Sequence, residues 1–384
     1  MSLKVLQITP FFFPDRGGIE SYVRGLAKAL SYNGVETTVL TTLPHAKSPI
    51  DGEGVYKVIR CPRNVTFFKG LISVPLFSQI LQQTDFDVLH VHIPFPLGLE
   101  VAALQRVVRR TPLIATHHGE GFSGGLGYKV LRRSYWAFSS SISYQLLNSM
   151  VFLSHSYASS VRLPLGIQER VRIVPGGVDT QAFSPGKASQ ETRASEYRDA
   201  DFVLLIVASL SGSNRYKGVD MLLRAFAAVS GSGGTILLAV VGEGALREAY
   251  ENLARNLGIS EKVWFAGEVS DEILPTLLAS ADAFVMPSVS GPESYGLAIL
   301  EAMASGVPPI VTNLPGVREL VADLSDGLVV EPGNIRSLCE AIELIREDAS
   351  LRKTLSTNAR NKALTRTWEE AAKQMTRLYS EVIP

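Results

Sequence analysis

Cysteine is nearly absent: the chain has only Cys61 and Cys339, far apart and in no metal-binding or redox spacing. That excludes a disulfide framework and suits a reducing cytoplasm. No apolar run reaches the length of a membrane span. Met1-Ser2-Leu3-Lys4 leads straight into the strand-like Val5-Leu6-Gln7-Ile8-Thr9, without the apolar core of a secretion signal. Walker-type phosphate loops, nucleophile elbows and basic-aromatic nucleic-acid patches are also missing. Repeats and low-complexity segments do not stand out. The hydrophobic content of 46% in 384 residues is ample for two domains of ordinary size.

Net charge is zero but unevenly spread. Residues 1–178 hold 18 Lys plus Arg against 10 Asp plus Glu, and the remainder hold 19 against 27. All six histidines fall in the first half. A basic first half suits an anionic lipid or an anionic acceptor, and simple variation of charge between domains explains it equally well.

Short β-rich runs alternate with helical patterns, which predicts an α/β protein with parallel sheets and helices on both faces. Strands are expected at Val5–Thr9, Thr37–Thr42, Lys57–Arg60, Val88–His92, Leu113–His117, Met150–Ser154 and Val171–Val174. Helices are expected at Ile19–Tyr32, Gly98–Arg109 and Tyr128–Leu147. After Pro175-Gly176-Gly177-Val178-Asp179 and the polar stretch Ser184–Asp201, the alternation restarts. Strands follow at Phe202–Ala208, Ile236–Val241, Val263–Ala266, Ala283–Pro287, Pro309–Thr312 and Leu328–Val330, and Trp368–Val382 is the last of three closing helices. The expected domains are 1–178 and 179–365, with a final helical segment at 366–384. Two Rossmann-like domains of this kind would face each other across a cleft.

The most informative segment runs from Gly291 to Pro308. Glu293 and Glu301 flank Ser294-Tyr295-Gly296-Leu297, and a short helix is expected over Leu297–Ala304, stopped by Gly306 and Pro308. The first-turn amides of Ser294, Tyr295, Gly296 and Leu297 would be open to an anion such as a phosphate. Glu293, in the loop, and Glu301, two turns into the helix, suit sugar hydroxyls better than phosphate. Donors for a diphosphate beside acceptors for hydroxyls describe a nucleotide-sugar pocket; the alternative is an amphipathic helix with two solvated glutamates.

This segment closely resembles the E-x7-E element of retaining glycosyltransferases of family 4, which have the GT-B fold. The resemblance covers almost the whole chain. It implies that Glu293 holds sugar hydroxyls and Glu301 the ribose, and that the final helix packs back on the first domain. Gly17 and Gly18, in Phe13-Pro14-Asp15-Arg16-Gly17-Gly18-Ile19-Glu20, resemble the family's Gly-Gly-x-Glu loop against the donor diphosphate. Arg16 and Glu20 are candidates for facing the acceptor.

Arg215-Tyr216-Lys217-Gly218 resembles the family's Gly-Arg-Leu…Lys-Gly element. Lys217 carries over, as the charge that stabilises the departing diphosphate. The usual arginine does not, because its position is Ser209; either Arg215 supplies the charge from further along the loop or phosphate binding is weaker. His118, in Thr116-His117-His118-Gly119-Glu120, resembles the family's His-Ser-Asp element, in which the histidine reaches the donor sugar; a structural histidine is the alternative. Gly242, after one second-half strand, and Glu268-Val269, after another, resemble loops that line ribose, phosphate and base. Neither is a Gly-x-Gly-x-x-Gly fingerprint, which argues against a dinucleotide. His90-Val91-His92 looks like a metal pair, but strand alternation explains it, and no metal or other cofactor is expected. Asp85-Phe86-Asp87 precedes a strand and reads as a turn.

These expectations converge on a metal-independent retaining hexosyltransferase of polysaccharide biosynthesis. It would move a sugar from a UDP- or GDP-sugar to a glycan or lipid-linked acceptor, without nucleic-acid partners. Apolar residues beside cations at Phe67-Phe68-Lys69-Gly70-Leu71, Arg106-Val107-Val108-Arg109-Arg110 and Lys129–Trp136 suit peripheral attachment to an anionic membrane. Helix faces packed on the sheet explain the same residues and are slightly preferred. A nucleotide-sugar 2-epimerase and a non-catalytic nucleotide-sugar binder are the alternatives for the function.

Overall fold

The computed structural model describes residues 2–43, 54–63, 65–67, 70–119, 135, 142–188, 197, 199–231, 234–291 and 293–384. Phe68, Lys69, Glu120, Pro292, the basic run 129–133 and most of the helix expected over 128–147 lie outside the described residues. The chain divides into two compact units: Met1–Gly177 with Trp368–Pro384, and Val178–Thr367.

Unit 1 runs β1 (Lys4–Ile8), α1 (Gly18–Tyr32), β2 (Glu36–Thr42), β3 (Lys57–Cys61), a short hairpin of β4 (Val65–Phe67) and β5 (Gly70–Ile72), α2 (Val74–Gln82), β6 (Val88–Ile93), α3 (Gly98–Arg109), β7 (Leu113–His117), β8 (Ser149–Phe152), α4 (His155–Ser160) and β9 (Val171–Ile173). Its main sheet has the order β3-β2-β1-β6-β7-β8-β9, all parallel. Strands such as Val88-Leu89-His90-Val91-His92-Ile93 are buried along their whole length because helices cover both faces.

Unit 2 runs β10 (Phe202–Val207), α5 (Val219–Val229), β11 (Ile236–Val241), α6 (Arg247–Asn256), β12 (Val263–Gly267), α7 (Leu274–Ala279), β13 (Ala283–Met286), α8 (Leu297–Ala304), β14 (Pro309–Thr312), β15 (Leu328–Val330), α9 (Ile335–Glu347) and α10 (Ala349–Leu364). The sheet order is β12-β11-β10-β13-β14-β15, again parallel throughout. Both sheets therefore reverse direction of growth beside their first strand, between β1 and β6 and between β10 and β13. Open α/β sheets bind ligands at the carboxyl ends of strands at such reversals.

The last helix, α11 (Trp368–Val382), belongs to unit 1. Ala371, Ala372, Met375, Leu378 and Tyr379 are its buried face. The Trp368 ring lies edge-on to Tyr22 at 5.5 Å and fills the space over Gly25, where an added Cβ would stand 2.3 Å from the indole. Tyr379 is fully buried, and its hydroxyl meets His90 Nδ1 at 2.7 Å.

On α3 the structure departs from the preferred packing explanation. Leu104, Val107 and Val108 are 52%, 58% and 65% exposed, beside exposed Arg109 and Arg110. The buried face of α3 is made instead by Gly98, Leu99, Ala102, Ala103 and Gln105. No helix among the described residues is long and apolar enough to cross a membrane.

Candidate functional site

At the carboxyl edge of unit 2, the segments that follow β10 and β13 meet. After β10 the chain makes a 3-10 turn over Gly212–Lys217 and enters α5 through Gly218 at φ 73°. A Cβ on Gly218 would stand 2.1 Å from the Pro287 carbonyl, so only glycine lets this turn lie against the end of β13. The Val289 amide then donates to the Tyr216 carbonyl at 2.8 Å. These contacts bring the Lys217 ammonium onto the Glu293 carboxylate as an ion pair, with side chains only 16% and 10% exposed.

Burial pushes the Lys217 ammonium down, but Glu293, and then Tyr216, more than offset it and leave it above its ordinary value. The Tyr216 ring centroid is 5.4 Å from the same nitrogen, within cation–π range.

Immediately after Glu293 the chain enters α8 through Gly296 in the left-handed region, at φ 92°. No side chain caps this helix, and the amides of Gly296 and Leu297 donate to no partner among the described residues. Tyr295 is core: it is 3% exposed and burial raises its phenol. Glu301 is half-buried on α8, and burial, helped by the Asp271 charge, pushes its carboxyl up to about 8.

The remaining candidates divide. Gly242 is a glycine for a packing reason, since its Cβ would fall 1.9 Å from the Ala208 carbonyl, and its amide donates to Gly267. Glu268 is exposed and Val269 half-buried just after β12. Arg215 is exposed, and its charge acts on the Tyr250 hydroxyl of α6. Ser209 is exposed as well.

Gly316 and Thr312 went unnoticed in the sequence. A Cβ on Gly316 would lie 2.4 Å from the Glu293 carbonyl, so this residue is the floor under the Glu293-Ser294 backbone. Thr312 donates its hydroxyl to the Ser288 carbonyl at 2.8 Å and ties β14 to the same loop. The available signal was Pro315-Gly316 shortly after a strand end.

On unit 1, Gly17 and Gly18 lie exposed at the start of α1. Glu20 folds back over Gly17, where an added Cβ would meet its Oε2 at 2.3 Å, whereas Gly18 has nothing within 4 Å. Burial, with a smaller contribution from Asp15, pushes the Glu20 carboxyl up to about 7. Arg16 is exposed.

His118, just past β7, joins a chain of imidazoles: its Nε2 is 3.0 Å from His92 Nδ1, and His92 Nε2 is 3.2 Å from Gln7 Oε1. If the Gln7 oxygen accepts from His92, then His118 donates to His92 and turns Nδ1 into an acceptor. Burial holds His90 and His118 near 3 and His117 near 4, so all three are neutral imidazoles at pH 7. His90 is fully engaged by Tyr379 and by Thr116 at 2.7 Å. Among the described residues no group of three His, Cys, Asp or Glu has the geometry to hold a metal. Asp85 and Asp87 hold the start of β1 through the Lys4 ammonium and amide, at the edge opposite the ligand-binding ends.

Comparison with known proteins bears on the same regions. Residues 16–182 match the family described as Glycosyltransferase Family 4, and residues 189–362 match Glycosyl transferases group 1. The chain belongs to the group 1 glycosyltransferases. It is 27% identical over 394 residues to an uncharacterized glycosyltransferase of Methanocaldococcus jannaschii, covering 98% of each chain. It is also 26% identical to the D-inositol 3-phosphate glycosyltransferase of Corynebacterium aurimucosum, over 96% of this chain and 92% of that one. Among solved structures, Anabaena HepE in complex with UDP and glucose superposes with a TM-score of 0.80 at 21% identity, over 99% of this chain and 100% of the other. The group 1 glycosyltransferase therefore has the two-domain α/β GT-B fold.

Proposed function

We propose that this group 1 glycosyltransferase binds a UDP- or GDP-sugar on unit 2 and transfers the sugar, with retention, to a glycan or lipid-linked acceptor without a metal ion. The observation that carries this reading is the Lys217–Glu293 pair at the β10/β13 reversal, next to the open amides that begin α8. Lys217 and those amides offer positive potential to a diphosphate. Glu293, once released from Lys217, accepts hydrogen bonds from sugar hydroxyls. Glu301, at about 8, is largely protonated at neutral pH and both donates to and accepts from a ribose diol. Gly242, Glu268 and Val269 lie on loops suited to the nucleoside, and Gly17 and Gly18 to further phosphate contact. The UDP and glucose bound by the Anabaena neighbour favour a nucleotide-sugar donor.

In the reaction the bond from the anomeric carbon to the diphosphate oxygen breaks, and that oxygen takes the proton of the incoming acceptor hydroxyl. Attack on the face that the diphosphate leaves retains configuration. Lys217 stabilises the charge growing on the leaving group, where a preorganised donor is worth about 3–4 kcal/mol. His118, a neutral imidazole at pH 7, is assigned by the family resemblance to a hydroxyl of the donor sugar.

Thermal shift against UDP, GDP, ADP and NAD, with and without EDTA, tests the donor site. A nucleoside diphosphate at a hundredfold excess over Kd stabilises by about 2.7 kcal/mol. A shift in EDTA identifies the base for sugar screening; no shift from any diphosphate, or a shift from NAD alone, removes the reading. Incubation with the donor alone separates transfer from 2-epimerisation, which needs no acceptor.

The exposed Leu104, Val107 and Val108 beside Arg109 and Arg110 favour a second element, peripheral attachment of the cytoplasmic enzyme to an anionic membrane. Absence of binding to anionic liposomes at low salt would remove it.

A further inference from the structure

At the carboxyl edge of unit 1, two arginines grip one loop and leave part of their donor capacity unused. Arg60, at the end of β3, gives Nη2 to the Phe13 carbonyl at 2.7 Å. Arg63, three residues on, gives Nη2 to Asp15 at 2.7 Å and Nε to Thr42 at 3.1 Å, while Thr42 in turn donates to the Pro10 carbonyl. Their guanidinium carbons stand 5.8 Å and 5.4 Å from the Phe12 and Phe11 ring centroids. These contacts hold the planar groups beside residues 10–15, the segment that leads from β1 to Gly17 and Gly18.

Among the described residues, three buried guanidinium nitrogens find no acceptor: Nε and Nη1 of Arg60, and Nη1 of Arg63. The buried hydroxyl of Thr41, the register partner of Arg60, is also unpartnered. A buried donor of a charged group left unpaired is costly, and such groups in folded proteins are normally satisfied. Arginines used only as clamps look different here: Arg360 spends its donors on the carbonyls of Phe183, Ala304 and Thr180, and leaves none buried and unpaired. Charge points the same way. Asp15 pairs with Arg63 and its charge also reaches Arg60, so one full carboxylate faces two guanidinium groups, with Glu20 near its half-charge point.

We propose that Arg60 and Arg63 form an anion site on unit 1 for a phosphate group carried by the acceptor. Donors from two rigid forks suit a tetrahedral, multi-oxygen group better than a planar carboxylate, and guanidinium is the cation that binds phosphate in several simultaneous hydrogen bonds. The position, at the carboxyl end of β3 and beside the β1 loop, is the ligand-binding edge of the sheet. Assignment to the acceptor rests on the glycosyltransferase reading above, in which the donor nucleotide occupies unit 2.

The test uses the full chain with sn-glycerol 3-phosphate as the probe, titrated calorimetrically in the presence of saturating UDP. The site predicts binding to the wild type that weakens at least tenfold in Arg60→Met and in Arg63→Met, with the UDP thermal shift unchanged in both. Lys217→Met should do the reverse. Because Arg60 also holds the Phe13 carbonyl, Arg60→Lys serves as a milder variant that keeps the charge and loses the two orphaned donors; it too should bind the probe weakly.

No binding to the wild type, equal binding to the arginine variants, competition by UDP, or an equal response to glucuronate would each overturn the site. An Arg60-dependent probe signal from a protein that binds no UDP, with or without the probe, would sink the acceptor assignment and leave the anion site standing. Flotation with phosphatidylglycerol–phosphatidylcholine vesicles separates the sources. Binding lost in Arg60→Met assigns the phosphate to a lipid headgroup; binding that is absent or insensitive to Arg60 assigns it to a soluble ester.

Discussion

Lys217 and Glu293, 76 residues apart, neutralise each other at the reversal point of the second sheet. The cation proposed for the leaving diphosphate and the carboxylate proposed for the sugar are thus one another's partners before either meets a ligand. Binding must exchange that contact for two others. Removing one member leaves a buried charge alone, which costs about 3–5 kcal/mol, whereas replacing both together is far milder. In urea denaturation Lys217→Met and Glu293→Gln should each lower stability more than the double variant does. Additive losses would mean the pair is not coupled. Turnover should fall at least about a hundredfold in Lys217→Met.

Gly316 should behave as a site residue without touching a ligand. Any side chain there meets the Glu293 carbonyl, and its positive φ adds strain. Gly316→Ala should therefore displace Glu293 and lower kcat/KM by tenfold or more. Gly212→Ala, which has open space around it, serves as the control and should stay near wild type. Equal activities for the two variants would separate Gly316 from the loop.

Acidification should affect the two units oppositely. In unit 1 the folded state holds His90 and His118 near 3 and His117 near 4, and burial depresses His92 as well, against about 6.5 unfolded. Below pH 6.5 the unfolded state therefore binds protons that the folded state refuses, and stability is lost as pH falls. Each such group contributes about 1.4 kcal/mol per pH unit. Glu20, held up to about 7, opposes this as a single group. Unit 2 has no histidine, and Glu301 at about 8 binds its proton more tightly when folded, so stability there rises as pH falls from 8 towards 4.5. Calorimetry between pH 7.5 and 5.5 should show a transition of unit 1 moving down, and Glu301→Gln should flatten the response of unit 2. A parallel shift of both units would contradict the assignment.

Gly25→Ala should unseat Trp368. The new methyl would fall inside the indole's contact distance, and overpacking of this kind costs about 1–3 kcal/mol, more than the gain of about 1 kcal/mol from a better helix former. Tryptophan fluorescence and the unfolding midpoint of unit 1 report it; an unchanged midpoint would show that α1 and α11 yield without cost.

Much of this was legible because parallel strands buried on both faces are continuous apolar runs, and β10, β11 and β14 read that way directly. The helix Leu297–Ala304 carried its own start and stop in Gly296 and Gly306. What escaped was whatever depends on partners distant in sequence. Nothing in Arg215-Tyr216-Lys217 says that the lysine turns to Glu293 while the arginine stays exposed. Arg60 and Arg63 read as ordinary strand-end cations until their unpaired donors are known. The hairpin of β4 and β5 was hidden for a simpler reason: its three-residue strands are too short for an alternation to register.

The return of α11 to unit 1 imposes an order on biosynthesis. Unit 2 is continuous in the chain and can be complete on the ribosome while unit 1 still waits for its last helix. Until Trp368 and Tyr379 emerge, His90 lacks one of its two partners and Tyr22 and Gly25 lack the indole that covers them. The first sheet to be translated is thus the last to be closed. A nascent chain arrested before Trp368 should expose a protease-sensitive first half beside a protected second half.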